Sequence, residues 1–347
     1  MRLVGRSFKY HRPRGILTAG SEEPNALMTI GSGAAQDPNV RATVQELFEG
    51  LQARSQNRWP SLGLDLMSVT DLAAPFLGAG FYYKTFMFPR PFWKHVFEPI
   101  IRQSAGLGPA PKDRDRDNYE HFYAFADLVV IGGGVAGLQA ARTAGEAGLS
   151  VILMEQTAAW GGRSPVDGGS IDGQPVQDWV DATVQALENM ENVSMRLRCM
   201  GAGIYDHGYM IGYERLSDHA PIADAPRHRL WKIRAGQILS APGAIERPLS
   251  FAGNDIPGVM LASALRDYLV NFGVSAGDRT VIATNNDDAC FVRKRHEQGS
   301  FRREYGQQRA GAWRFQQYEQ GRLHSSPQQA WPLDRPNASH GPRRLRA

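Results

Sequence analysis

Apolar positions along the middle of this chain change period in a regular way. Leu128 to Ile131 is a short unbroken apolar run, the signature of a strand covered on both faces. Ala136 to Ala147 follows as an alanine-rich stretch of helical character, and Val151 to Met154 repeats the apolar run. The pattern then predicts a helix over Val176 to Asn189 and strands near Ser194 to Leu197, Tyr209 to Tyr213 and Gln237 to Leu239. A helix around Ser263 to Phe272 and a strand at Thr280 to Thr284 complete it. Strand, helix and strand in this order describe a doubly wound α/β unit, here with a β-rich segment inserted after its second helix.

The flanks read differently. Before the α/β unit, Ala26 to Ile30 fits a short strand. Val44, Leu47, Phe48 and Leu51 then recur at helical offsets behind Asp37, Pro38 and Asn39, which predicts a helix with one buried face. Phe81 to Phe97 concentrates eight Phe, Tyr and Trp residues among Lys84, Arg90 and Lys94, a density that predicts core or subunit interface. Gly106 to Asn118 has the Gly, Pro and charge content of a linker. These breaks divide the chain into residues 1–105, a linker over 106–125, a dinucleotide-binding region over 126–289 and an irregular tail over 290–347. Beyond Ala289 the alternation gives way to an Arg- and Gln-rich sequence without periodicity, read as disordered or frameshifted.

Composition narrows the functional classes. A chain of 347 residues with 42% hydrophobic and 21% charged residues can bury a sizeable core, and no apolar run is long enough to cross a bilayer. Residues 290–347 hold 12 Lys and Arg against 4 Asp and Glu, so the overall charge of +4 conceals a mildly acidic body. That argues against nucleic acid as a partner. Cys199 and Cys290 are the two cysteines; neither has metal-ligand spacing, and the pair suits a reducing cytoplasm.

The chemistry-bearing motif is DLVVIGGGVAGLQAARTAGEAGLSVILME. Gly132, Gly134 and Gly137 follow an apolar strand and open a helix in GxGxxG order. Gly132 permits a tight turn, Gly134 lets the backbone approach a pyrophosphate, and Gly137 lets helix and strand pack closely; the helix tip supplies N–H donors. Glu155, 23 residues after Gly132, ends the second strand where a carboxylate accepts hydrogen bonds from ribose hydroxyls and repels a 2′-phosphate. The motif thus predicts a Rossmann-like FAD/NAD(P)-binding domain holding the ADP part of NAD or FAD rather than NADP. Gly161, Gly162 and Arg163 form a second glycine pair with a cation, suited to the other phosphate or ribose. His207, Asp206, Glu246 and Asp255 share no constrained spacing, and none is assigned a catalytic role.

SFKYHRPRGI, GSEEPNAL, GFYYKTFM, the glycine motif, GAIERPLSFAGNDIPGVM and TVIATNNDDA, in this order over residues 2–289, resemble the alpha subunit of heterotetrameric sarcosine oxidase. The resemblance implies an oxidoreductase subunit acting on a CH–NH donor. Its complex would oxidise sarcosine to glycine with release of hydrogen peroxide, and would pass the one-carbon unit to tetrahydrofolate. It also implies NAD on this chain, flavins on a partner beta subunit, and further subunits in a hetero-oligomer. By motif it assigns Gly132, Gly134, Val135, Gly137, Glu155, Gln156 and Arg163 to the NAD-contacting turn and loop, with Gly201 near the adenine. Pro242 stands where the family usually has Thr. The family's ferredoxin-like domain begins several strands before RLVGRSFKYHRPRG and its folate-binding half lies beyond the match, so the chain reads as a partial ferredoxin-like and helical region, the dinucleotide-binding domain and a tail from a shifted reading frame. The alternatives are an independent FAD-dependent amine or opine oxidoreductase, and a non-functional fragment.

Overall fold

A computed structural model describes residues 27–42, 45–56, 58–61, 63–66, 72, 76, 86, 88–222, 224–246, 249, 251 and 259–273, and the backbone of four strands between 279 and 324. Two compact units result, residues 1–274 and 275–347.

In the first unit, β1 (Leu27–Ile30), β2 (Asp37–Arg41) and β3 (Ala53–Ser55) form a three-stranded antiparallel sheet in the order β2-β1-β3. Met28 and Ile30 are buried, and Gln56 Oε1 accepts from Thr29 Oγ1 and from Asn39 N at 2.8 Å each. The helix expected on Val44, Leu47, Phe48 and Leu51 does not form among the described residues. Residues 45–51 are irregular or turn and Leu47 is 88% exposed. The physical reason lies on either side: Asp37, Pro38 and Asn39, expected to introduce the helix, belong to β2 and are spent on pairing with β1. Glu46 is drawn into an ion pair with Arg198 instead of pointing off a helical face.

The aromatic stretch winds through two short helical turns, Arg90–Phe92 and Trp93–Phe97, into helix α1 (Glu98–Ser104). Phe86 and Phe97 pack at 4.8 Å between ring centroids, but Phe88 is 85% exposed and Phe92 and Trp93 are also exposed, so core is not where these side chains sit. Residues 81–85 lie outside the described set.

The α/β architecture follows. Strand β4 (Asn118–Ile131) leads through the glycine turn into α2 (Val135–Glu146) and β5 (Val151–Met154). A short turn of helix, α3 (Ser164–Asp167), and a hairpin of β6 (Ser170–Ile171) and β7 (Gln174–Pro175) precede α4 (Val176–Glu188) and β8 (Val193–Arg196). The inserted β segment is β9 (Cys199–Tyr205), β10 (Tyr209–Arg215) and β11 (Pro226–Ser240), after which comes α5 (Ala262–Phe272). The sheet order is β8-β5-β4-β11-β10-β9, parallel from β8 to β11 and antiparallel beyond.

Two apolar layers hold it. Val130, Leu153 and Val151 face Leu138, Ala141, Val180 and Leu187 of α2 and α4, all essentially inaccessible to solvent. A second cluster, built on Val129, Ile152 and Met154, is closed by Met210, Trp231 and Ile233 of the inserted strands. Burial of this kind contributes about 25 cal/mol per Å² of apolar surface, which makes the two layers the dominant favourable term.

Among the described residues no helix is long and apolar enough to cross a membrane. The second unit contains β12 (Arg279–Thr284), parallel to β13 (Arg302–Arg309), with β14 (Ala312–Glu319) and β15 (Arg322–His324) added antiparallel. Three of its four strands thus fall within the basic tail that carries no periodic pattern.

Candidate dinucleotide-binding site

The site is the junction of β4, α2 and the end of β5. Gly132 adopts φ +103°, and a Cβ there would lie 2.2 Å from the Ala241 carbonyl oxygen and 3.3 Å from Pro242 Cα, so glycine alone fits. Pro242, which replaces the Thr expected from the resemblance, therefore borders the turn directly. Gly137 is equally constrained, because an added Cβ would meet the Gly132 carbonyl oxygen at 1.8 Å. Gly134 is the opposite case: its backbone is ordinary, it caps α2, and nothing beyond its chain neighbours lies within 4 Å of where a Cβ would sit.

That open space sits over the tip of α2. The first helical hydrogen bond runs from Leu138 N to the Gly134 carbonyl oxygen at 2.9 Å, so the N–H groups of Val135, Ala136 and Gly137 precede any intrahelical acceptor. Free donors and the positive end of the helix dipole give this tip the chemistry that suits an anion.

Glu155 is 6% exposed and ends β5 under two main-chain clamps, its N–H donating to Arg196 O and its carbonyl accepting from Cys199 N, both at 2.8 Å. One carboxylate oxygen accepts from Gly133 N at 2.7 Å and the other from Thr157 N at 2.8 Å. Each oxygen keeps a further lone pair, so the group can bind the turn and still accept from a sugar hydroxyl.

The other sequence-predicted residues divide. Gly161 and Gly162 join the first turn: Gly161 N donates to Gly133 O at 2.8 Å, and a Cβ on Gly162 would be 3.1 Å from Gly134 Cα. The guanidinium of Arg163 is bound at 3.2 Å to both Asp167 and Asp267 and is thereby tied to α5. Burial works to lower its pKa, but these carboxylates outweigh it and raise the value. Gln156 has an exposed side chain, and its carbonyl accepts from Arg215 at 3.0 Å. Gly201 lies on β9, where a Cβ would approach Ile131 Cγ2 at 3.0 Å, one residue ahead of the turn. Glu246 accepts from the N–H and hydroxyl of Ser263 at the start of α5, and His207 occupies a turn at φ +60°; Asp255 lies outside the described residues.

Three contributors escape a motif reading. Gly133 occupies a free position of GxGxxG, yet a Cβ there would strike Trp160 at 2.5 Å and Glu155 Cβ at 2.9 Å. Trp160 is the wall in question, and only its place before the glycine pair could have flagged it. Arg198, at φ +54°, donates its N–H to Thr157 O at 2.9 Å and grips Glu46 through two 2.7 Å bonds. No local sequence signal joins residues 152 positions apart.

This fold and site define an oxidoreductase-type dinucleotide-binding domain, and a family model described as an FAD binding domain matches residues 127–197. The chain belongs, over most of its length, to the sarcosine oxidase alpha-subunit family. It is 53% identical over 287 residues to the sarcosine oxidase subunit alpha of Rhizobium meliloti (strain 1021), covering 82% of this chain and 29% of that protein. With its counterpart from Corynebacterium sp. (strain P-1) it is 35% identical, over 83% of this chain and 26% of the other. The chain thus spans under a third of the length of these relatives. Among solved structures, L-proline dehydrogenase from P. horikoshii is similar at 22% identity and a TM-score of 0.43, over 62% of this chain and 42% of that one.

A second family model, described as a 2Fe-2S iron-sulfur cluster binding domain, matches residues 1–58. The residues do not fit the cluster. Such clusters are held by cysteine thiolates, and residues 1–58 contain none. Among the described residues no group of three or more His, Cys, Asp and Glu could hold a metal.

Proposed function

We propose that this chain is the NAD-binding part of the alpha subunit of a sarcosine oxidase-like complex. In that complex, a flavin-bearing beta subunit and further subunits would carry out the oxidative demethylation of sarcosine in the cytoplasm, giving glycine and hydrogen peroxide and a one-carbon unit for tetrahydrofolate. The observation that carries the nucleotide reading is the open space over Gly134, set between unpaired helix-tip amides and the Glu155 carboxylate. The amides of Val135, Ala136 and Gly137 would hold the pyrophosphate, and Glu155 would accept from the adenosine ribose while repelling a 2′-phosphate. A bound nicotinamide or flavin would supply hydride chemistry; this chain's share is to hold and orient it.

The second reading, FAD in the same turn and an independent amine or opine oxidoreductase, is favoured by one observation, the FAD binding domain match over residues 127–197. Mass spectrometry of cofactors released from the chain purified alone, and then with its flavin-bearing partner, separates the two. NAD from the chain alone, with flavin appearing only alongside the partner, supports the first reading. FAD from the chain alone supports the second, and no dinucleotide in either preparation rejects both.

A further inference from the structure

We infer that the crevice beneath Trp231 is a binding site for a small carboxylate, separate from the glycine turn. Met195 of β8 packs on the α2 and α4 side, so by strand alternation Ser194 and Arg196 face the opposite side of the sheet. There they line a cavity of about 230 Å³ with Phe122, Ala124, Ile152 and Trp231. The Arg196 guanidinium lies over the Trp231 ring at 5.1 Å, and its Nε is buried with no hydrogen-bond partner. Trp231 itself is immobilised by the bond from its Nε1 to Glu214 Oε2 at 2.7 Å.

Neighbouring charges do not satisfy Arg196. Glu214 and Glu120 are engaged by Arg229, and Glu191, on the cavity rim, forms no ion pair with Arg196. The Nε is sealed in the wall, so the donors an anion in the crevice would meet are the Arg196 Nη groups, which no carboxylate of the described residues engages; a guanidinium held beside apolar side chains gains from such a partner. The planar fork of arginine matches a carboxylate, and Ser194, two residues away on the same face, adds a hydroxyl donor. The cavity falls below the range of drug-sized sites, roughly 300–1,000 Å³, and so fits a carboxylate with a few carbon atoms rather than a cofactor.

The test titrates the 347-residue chain with propionate, with chloride at matched ionic strength as a control, and with a short acidic peptide. Readouts are the Trp231 indole N–H resonance, assigned with Trp231→Phe, and the melting temperature. Propionate should saturate the indole shift in the millimolar range and raise the melting temperature. Arg196→Gln should weaken this at least tenfold, and Ser194→Ala several-fold. Equal responses to chloride, a response to the peptide alone, an unchanged response in Arg196→Gln, or no saturable response in the native chain each overturn the assignment. Should Arg196→Gln fail to fold, unchanged propionate affinity in Ser194→Ala overturns it instead.

Discussion

Glu155 reaches back from the end of β5 to Gly133, whose N–H it accepts at 2.7 Å, so the acidic residue that would grip the sugar also fixes the turn that would grip the phosphates. The two halves of the site are therefore one hydrogen-bonded object. Glu155→Ala leaves the buried N–H of Gly133 and the partly buried N–H of Thr157 without their acceptor and should destabilise the fold by about 1–3 kcal/mol. Nucleotide affinity should fall at least tenfold beyond what that destabilisation explains. Denaturant unfolding and isothermal titration on the same variant separate the two effects, and a variant of native stability and affinity would show that Glu155 plays neither part.

The Arg198 to Glu46 pair joins the N-terminal β segment to the loop that carries Gln156 and Thr157. The Arg198 hydrogen bond is the largest cause holding the Glu46 carboxyl below its ordinary 4.5. A depressed folded pKa contributes stability that is present above the unfolded value and lost as pH falls through the folded one. Stability should thus decline below about pH 4.5, and Glu46→Gln should flatten that part of the profile. Urea midpoints across acid pH check this; identical profiles for the two proteins would remove the pair from the account.

Cys199 opens β9 and is buried in the second apolar layer, and burial, with Glu214 nearby, pushes its thiol up to about 12. At pH 8 it should resist alkylation while the chain is folded and react on unfolding. Peptide mapping after iodoacetamide treatment distinguishes it from Cys290. Rapid labelling of the Cys199 peptide in folded protein would mean the second apolar layer is open.

Legibility of the fold tracked how local each cause was. Gly132, Gly134, Gly137 and Glu155 were readable because one strand, one turn and one helix contain everything that dictates them. The 14-residue length of β4 was not: its first half, Asn118 to Phe125, is exposed on most positions and shows no alternation, and it becomes a strand through pairing with β11 from Pro226 onward. The reverse holds at Leu47 and Phe48, where helical spacing is present but Leu47 is exposed, Phe48 only half-buried, and the preceding residues pair with β1 instead. Arg163 illustrates a third kind of gap. Its charge suited a phosphate, yet Asp267, 104 residues away, lies close enough to take it.

On the proposed function, the space over Gly134 exists for a ligand rather than for packing. Gly132→Ala and Gly137→Ala should damage the fold itself, since each adds a Cβ within 2.2 Å of a backbone oxygen. Gly134→Val places its Cβ where no non-neighbouring atom lies within 4 Å, at an ordinary backbone conformation and a cap cost of about 1 kcal/mol. The deciding measurement is NAD and FAD affinity of Gly134→Val beside its melting temperature. A nearly native melting temperature with dinucleotide binding lost is the predicted result, whereas undiminished binding of either dinucleotide would contradict the account.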